Sequence, residues 1–134
     1  MHLNKVYVSA SASQQLNMLA QRTSLRPNLS CRLGLCLSLE EFGPPTEEEF
    51  GGHGEREFNW STLFGAWDTL YVAMVKQRLA GDGMDPELDF EEQLQRHLNR
   101  GVFLLYKRIK RLEDLGALLE RAGSQVGHEV KEQP

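Results

Sequence analysis

RTSLRPNLSCRLGLCLSLEEF, residues 22–42, contains a leucine-rich run from Leu29 to Leu39 whose only polar members are Ser30, Arg32 and Ser38. Pro27 suits the first turn of a helix, where its missing N–H would be unpaired in any case, and Gly43-Pro44-Pro45 cannot continue one. On a helical wheel Leu29, Leu33 and Leu37 form one stripe, and Cys31, Leu35 and Leu39 fall largely on the opposite side. A helix that is apolar on both sides needs cover on both sides. The segment is therefore predicted as a buried central helix, with a second subunit supplying part of the cover.

Upstream, LNKVYVS (residues 3–9) alternates with the period of a short strand, Val6 and Val8 on one face and Lys5, Tyr7 and Ser9 on the other. The SASAS run then opens a helix, with Ser11 and Gln14 at capping-box spacing and Leu16, Leu19 and Ala20 facing inward. This helix should end near Arg22. A lone strand cannot satisfy its own backbone groups. Pairing with its symmetry mate, as in ribbon–helix–helix proteins, would solve that; packing as an edge piece on its own helices is the alternative.

Downstream, GPPTEEEFGGHGERE (43–57) carries four Gly, two Pro and five Glu without an apolar period, and reads as an acidic surface loop. A third helix starts at Asn59 or Ser61, with Leu63, Trp67, Leu70, Met74 and Leu79 at helical spacing, and closes at Gly81. No base lies between Phe58 and Tyr71, so the aromatics there read as core rather than as a base-stacking platform. Asp85-Pro86 suits the start of a fourth helix, with Asp89 and Glu92 as an alternative capping box. Phe90, Leu94 and Leu98 mark its stripe, and Gly101 ends or bends it. Leu105, Ile109, Leu112, Leu115 and Leu119 support a last helix. The fold class is mainly α: a short N-terminal strand, a ribbon–helix–helix-like opening and additional C-terminal helices. One domain over residues 1–123 and a flexible tail over 124–134 are expected.

At 134 residues the chain is large enough for a single core, and 40% hydrophobic with 25% charged residues is ordinary for a globular domain. No apolar run of membrane-spanning length and no secretory signal is visible, so a cytoplasmic location is expected. Cys31 and Cys36 are five residues apart; on a helix their Cα atoms would be about 8 Å apart, too far for a disulfide. They read as buried free thiols.

The net charge of −4 hides segregation: residues 96–111 hold six bases and no acid, and residues 1–42 hold four bases against two acids. Two basic sets result. One is Lys5, Arg22, Arg26 and Arg32, flanking the turn into the central helix, where free N–H groups also favour phosphate. The other is Lys107, Arg108, Lys110 and Arg111, preceded by Arg96 and Arg100, with Lys107 and Arg111 sharing a helical face. Such sets could neutralise phosphates, or could be a solvated face paired with Glu113, Asp114 and the acids of 82–92. Phosphate-loop, Ser-His-Asp, zinc and dinucleotide signatures are lacking. His97 reads as structural, and His53 as exposed. No catalytic residue, metal site or cofactor is assigned.

The pieces QRTSLRPNLSCRLGLCLSLEE, EFNWSTLFGAWDTLYVAMV and HLNRGVFLL, in that order, resemble the DndE family of the DNA phosphorothioation system over roughly residues 3 to 119. Family members usually have Arg-Thr-Gly where this chain has Arg22-Thr23-Ser24, and Glu-Phe-Asn-Arg where it has Glu57-Phe58-Asn59-Trp60. The second departure removes a candidate phosphate contact, and the first costs turn freedom. The resemblance implies an accessory protein of the machinery that replaces a non-bridging phosphate oxygen by sulfur. It also implies self-assembly, binding of nicked double-stranded DNA, and work beside sulfurtransferase-like and ATPase subunits. It transfers a role to Arg22, Arg26 and Arg32 only. Two other readings are a metal-dependent nicking nuclease using acids such as Asp82, Asp85 or Asp89, and an adaptor that binds partner proteins rather than DNA.

Overall fold

The computed structural model describes residues 4–111 and 113–120. Leu112 and the expected tail, 124–134, lie outside the described residues. The chain is mainly helical. Strand β1 (Lys5–Val8) leads into α1 (Ala10–Thr23) and α2 (Pro27–Glu40), followed by a short α3 (Glu47–Phe50) and strand β2 (Arg56–Asn59). Next come α4 (Trp60–Phe64), a 3-10 turn over Gly65–Trp67, α5 (Asp68–Gly81) and the long α6 (Phe90–Arg108). Residues 113–120 are again helical.

The strand is real, but its partner is not a symmetry mate. β1 pairs antiparallel with β2 of the same chain, Lys5 opposite Asn59 and Val8 opposite Arg56. Val6 and Val8 are buried and face the core, as the alternation requires. The sequence of Arg56–Asn59 reads as loop and helix start because a four-residue strand with one buried side chain, Phe58, leaves almost no period to detect.

Helix α1 is capped two residues earlier than Ser11: the Ser9 hydroxyl accepts the Ala12 N–H at 3.1 Å. It ends at Ser24 in the left-handed region, φ 63°, a conformation otherwise held among the described residues only by glycines. A Gly-for-Ser pattern at this turn is thus what the backbone asks for.

Helix α2 is central, and α6 is its main cover. The seam is made of small residues. Ser30, Gly34 and Ser38 are all buried on one face of α2, and a Cβ on Gly101 of α6 would lie 2.1 Å from the Gly34 carbonyl oxygen. Gly101 therefore neither ends nor bends α6; it lets two backbones touch, and the helix runs on to Arg108. Cys31 and Leu35 enter the main core with Leu16, Phe58, Phe64, Phe90 and Leu98. On the other side Leu33 and Leu37 pack on a smaller cluster of Leu19, Leu105, Ile109 and Leu115. Most of the cover expected from a second subunit thus comes from the chain itself; Leu29 stays 38% exposed.

The third helix is broken where Gly65 takes a positive φ. The break rotates α5, so Val75 and Leu79 are buried while Trp67 and Leu70, expected inside, are 61% and 52% exposed. Asp85 caps a turn rather than a helix, accepting the Glu87 and Leu88 N–H groups, and α6 starts at Phe90.

Candidate nucleic-acid interface

Helices α1 and α6 bring Arg22 of the first basic set against the second set at one end of the molecule. The Arg22 guanidinium lies over the Tyr106 ring, 4.7 Å from its centroid, and donates to the Ile109 carbonyl at 3.4 Å. The Lys110 ammonium stands 4.9 Å from the same ring. The two cations are therefore within about 10 Å of each other, and each is desolvated on one side by the ring, where a cation–π contact offsets the loss of water. One turn back, Lys107 lies 5.1 Å from the Phe103 ring centroid. Tyr106 and Phe103 are rails for these cations that charge counting alone misses; the i, i+4 spacing of Phe103 to Lys107 within α6 is a signal that could have shown one pair, while the Tyr106–Lys110 contact depends on the chain's turn after Arg108.

The basic run is not one helical face, however. α6 stops at Arg108, Ile109 is extended, and Lys110 and Arg111 sit in a turn whose N–H groups are both accepted by the Asp114 carboxylate at 2.9 and 3.0 Å. Those bonds hold the Asp114 carboxyl below its ordinary range. Lys107 and Arg111 therefore do not share a helical face: the i, i+4 rule ends where the helix does. Arg111 also reaches Glu113 at 3.7 Å, both side chains being largely exposed. Such a pair contributes little.

The other bases separate cleanly. Lys5 pairs with Glu57 across the strands at 2.9 Å, which raises its pKa. Arg32 donates to the Leu63 and Thr62 carbonyls, tying α2 to the end of α4. Arg96 pairs with Glu92 at 2.8 Å. Arg100 is buried: it donates to the Ser38 hydroxyl and carbonyl and to the Gly43 carbonyl, and Arg78 adds bonds to Leu39 and Gly43. These two guanidiniums close the carbonyl end of α2, where a helix leaves acceptors unpaired and favours positive charge. Arg26 is exposed at the N-cap of α2, beside Leu25, which packs on the smaller core cluster together with Tyr106. Among the described residues no carboxylate is in salt-bridge range of Arg22, Arg26, Lys107, Arg108 or Lys110. Of the acids of 82–92, Asp82, Glu87 and Glu92 pair instead with Arg78, Lys76 and Arg96.

His97 is structural. Ser38 Oγ accepts from Arg100 and shares a 2.8 Å hydrogen bond with His97 Nδ1. Burial, and then the Arg100 and Arg78 charges, push the His97 pKa down to about 3. Burial likewise pushes the Cys31 thiol up to about 12 and raises Cys36, so neither is a poised nucleophile. Asp82 is bound to Arg78, and Asp89 accepts the Asp85 N–H. Among the described residues no group of three or more His, Cys, Asp or Glu is placed to hold a metal ion.

Residues 5–112 match the family model described as DNA sulphur modification protein DndE. The chain belongs to the DndE family. The fold agrees: the crystal structure of DndE from Escherichia coli B7A, involved in DNA phosphorothioation modification, superposes with a TM-score of 0.64 at 21% identity. The alignment covers 78% of this chain and 98% of that one. No curated protein shows significant similarity. Among the described residues no helix is long and apolar enough to cross a membrane. Membership in the DndE family ties the chain to DNA sulfur modification.

Proposed function

We propose that this DndE-family chain is a DNA-backbone-binding accessory protein of the phosphorothioation machinery. It holds double-stranded DNA at a nick through Arg22, Lys107, Arg108 and Lys110, flanked by Arg26 and Arg111. The observation that carries the reading is the meeting of Arg22 and Lys110 on Tyr106, with no carboxylate of the described residues in salt-bridge range of either; Asp114 accepts the main-chain N–H of Lys110 and forms no salt bridge with its ammonium. A cation held on a ring and left without an internal counter-ion can release a phosphate's counter-ions on contact. Few Asn or Gln side chains accompany the set, so phosphates are read rather than bases. Lys5 and Arg32 are already engaged within the chain and contribute less.

One domain spans residues 1–123, with 124–134 as an appended tail. The protein works in the cytoplasm, as an assembly of several copies, beside the sulfurtransferase-like and ATPase subunits. Self-association is supported by Trp67 and Leu70, which stand exposed on the outer side of α5 and its entry turn. The engaged carboxylates of Asp82, Asp85 and Asp89 weigh against a metal-dependent nuclease. Anisotropy titration of a nicked duplex tests the reading. Arg22→Ala with Lys110→Ala should weaken binding at least tenfold for every sequence tried, and an unchanged affinity would refute the clamp.

A further inference from the structure

Next to Lys107 lies a cavity of about 400 Å³ between the start of α1, α3 and the middle of α6. Its wall is aromatic: the half-buried rings of Phe50 and Phe103 lie 6.0 Å apart, tilted by 49°. Asn99 braces it, accepting the Ser9 N–H with its carbonyl oxygen and donating its amide to the Phe50 carbonyl. Ser11 and Gln15 line the α1 side, and neither side chain hydrogen-bonds another described residue, so both retain polar capacity. Glu49 stands at the rim with a carboxylate. Lys107 lies over the Phe103 ring that forms the wall.

We infer that this cavity receives an unstacked nucleobase from the DNA end at the nick, while Lys107 holds the adjoining phosphate. The inference rests on the DNA-binding reading above and gives it a second contact. Its parts match the ligand. Flat π-faces stack on phenyl rings without regard to sequence. The amide of Gln15 can donate to and accept from a base edge, and Glu49 can accept from an exocyclic amine. The volume admits a single base. Unstacking is cheapest where the backbone is interrupted, so a nick supplies the base that a continuous duplex withholds. Bases bearing an amine are favoured over thymine.

The test places 2-aminopurine, itself an amine-bearing base, beside the nick and follows its fluorescence as the full chain is added; the same sequence without a nick is the control. A severalfold rise is expected on the nicked duplex and none on the continuous one. Phe50→Leu, which keeps the apolar bulk but removes the wall ring that backs no cation of the described residues, and Gln15→Ala on the rim should each cut the rise at least fivefold. Both should leave affinity for the nicked duplex within threefold. Tight binding without a rise would overturn the cavity while sparing the phosphate clamp. A rise undiminished in both variants would place the base elsewhere. Failure to bind nicked DNA at all would remove both readings together.

Discussion

Ser24 holds a left-handed backbone that costs an L-residue roughly 1–2 kcal/mol, against a smaller entropy penalty for glycine. Ser24→Gly should therefore stabilise the chain by about 0.5–1 kcal/mol in denaturant melts. The need for glycine was visible as a departure from the family pattern, because turn chemistry is written in single residues. His97 was visible only as a lone histidine. Its partners, Ser38 and Arg100, come from tertiary packing that no local pattern encodes. The pH dependence follows from its depressed pKa. Between the ordinary value of 6.5 and about 3 the unfolded chain takes up a proton that the folded chain refuses, so stability falls as pH drops through that window. The slope approaches about 1.4 kcal/mol per pH unit. His97→Asn, which cannot titrate and keeps an acceptor near Nδ1, should flatten the decline in melting temperature between pH 6.5 and 4 relative to wild type.

The helices α1, α2, α5 and α6 were legible because each carries a sustained apolar period or a Pro or Ser start signal. The short β2 and α3 were not, since four residues hold at most one turn or one alternation. Gly101 shows the deeper limit. A glycine in a helical pattern reads as a stop, and only the facing Gly34 reveals a backbone contact instead. Ser30 and Ser38 looked like polar interruptions of a leucine helix, yet they are the small residues that let α6 approach. Gly101→Ala should cost about 3 kcal/mol or more, because its methyl would meet α2 backbone that cannot swing aside. Ala at Gly116, with nothing within 4 Å of the added carbon, is the matched control and should be neutral or mildly stabilising.

Across the described residues, a chain of net charge −4 gathers cations that make no salt bridge at the end where α1 and α6 finish, while Lys5, Arg32, Lys76, Arg78, Arg96 and Arg100 are engaged within the chain. That division was half legible. Charge counting finds the basic run at 96–111 but cannot separate Arg100, which caps α2 from inside, from Lys110, which faces outward. Nor can it foresee that Tyr106 joins Arg22 to Lys110 across the sequence. The most direct measurement is the salt dependence of nicked-duplex affinity between 50 and 200 mM, wild type against Arg22→Ala with Lys110→Ala. The plot of log affinity against log salt should be shallower by about two in the double variant, one for each lost phosphate contact. Parallel lines of equal height would mean that these cations never touch DNA.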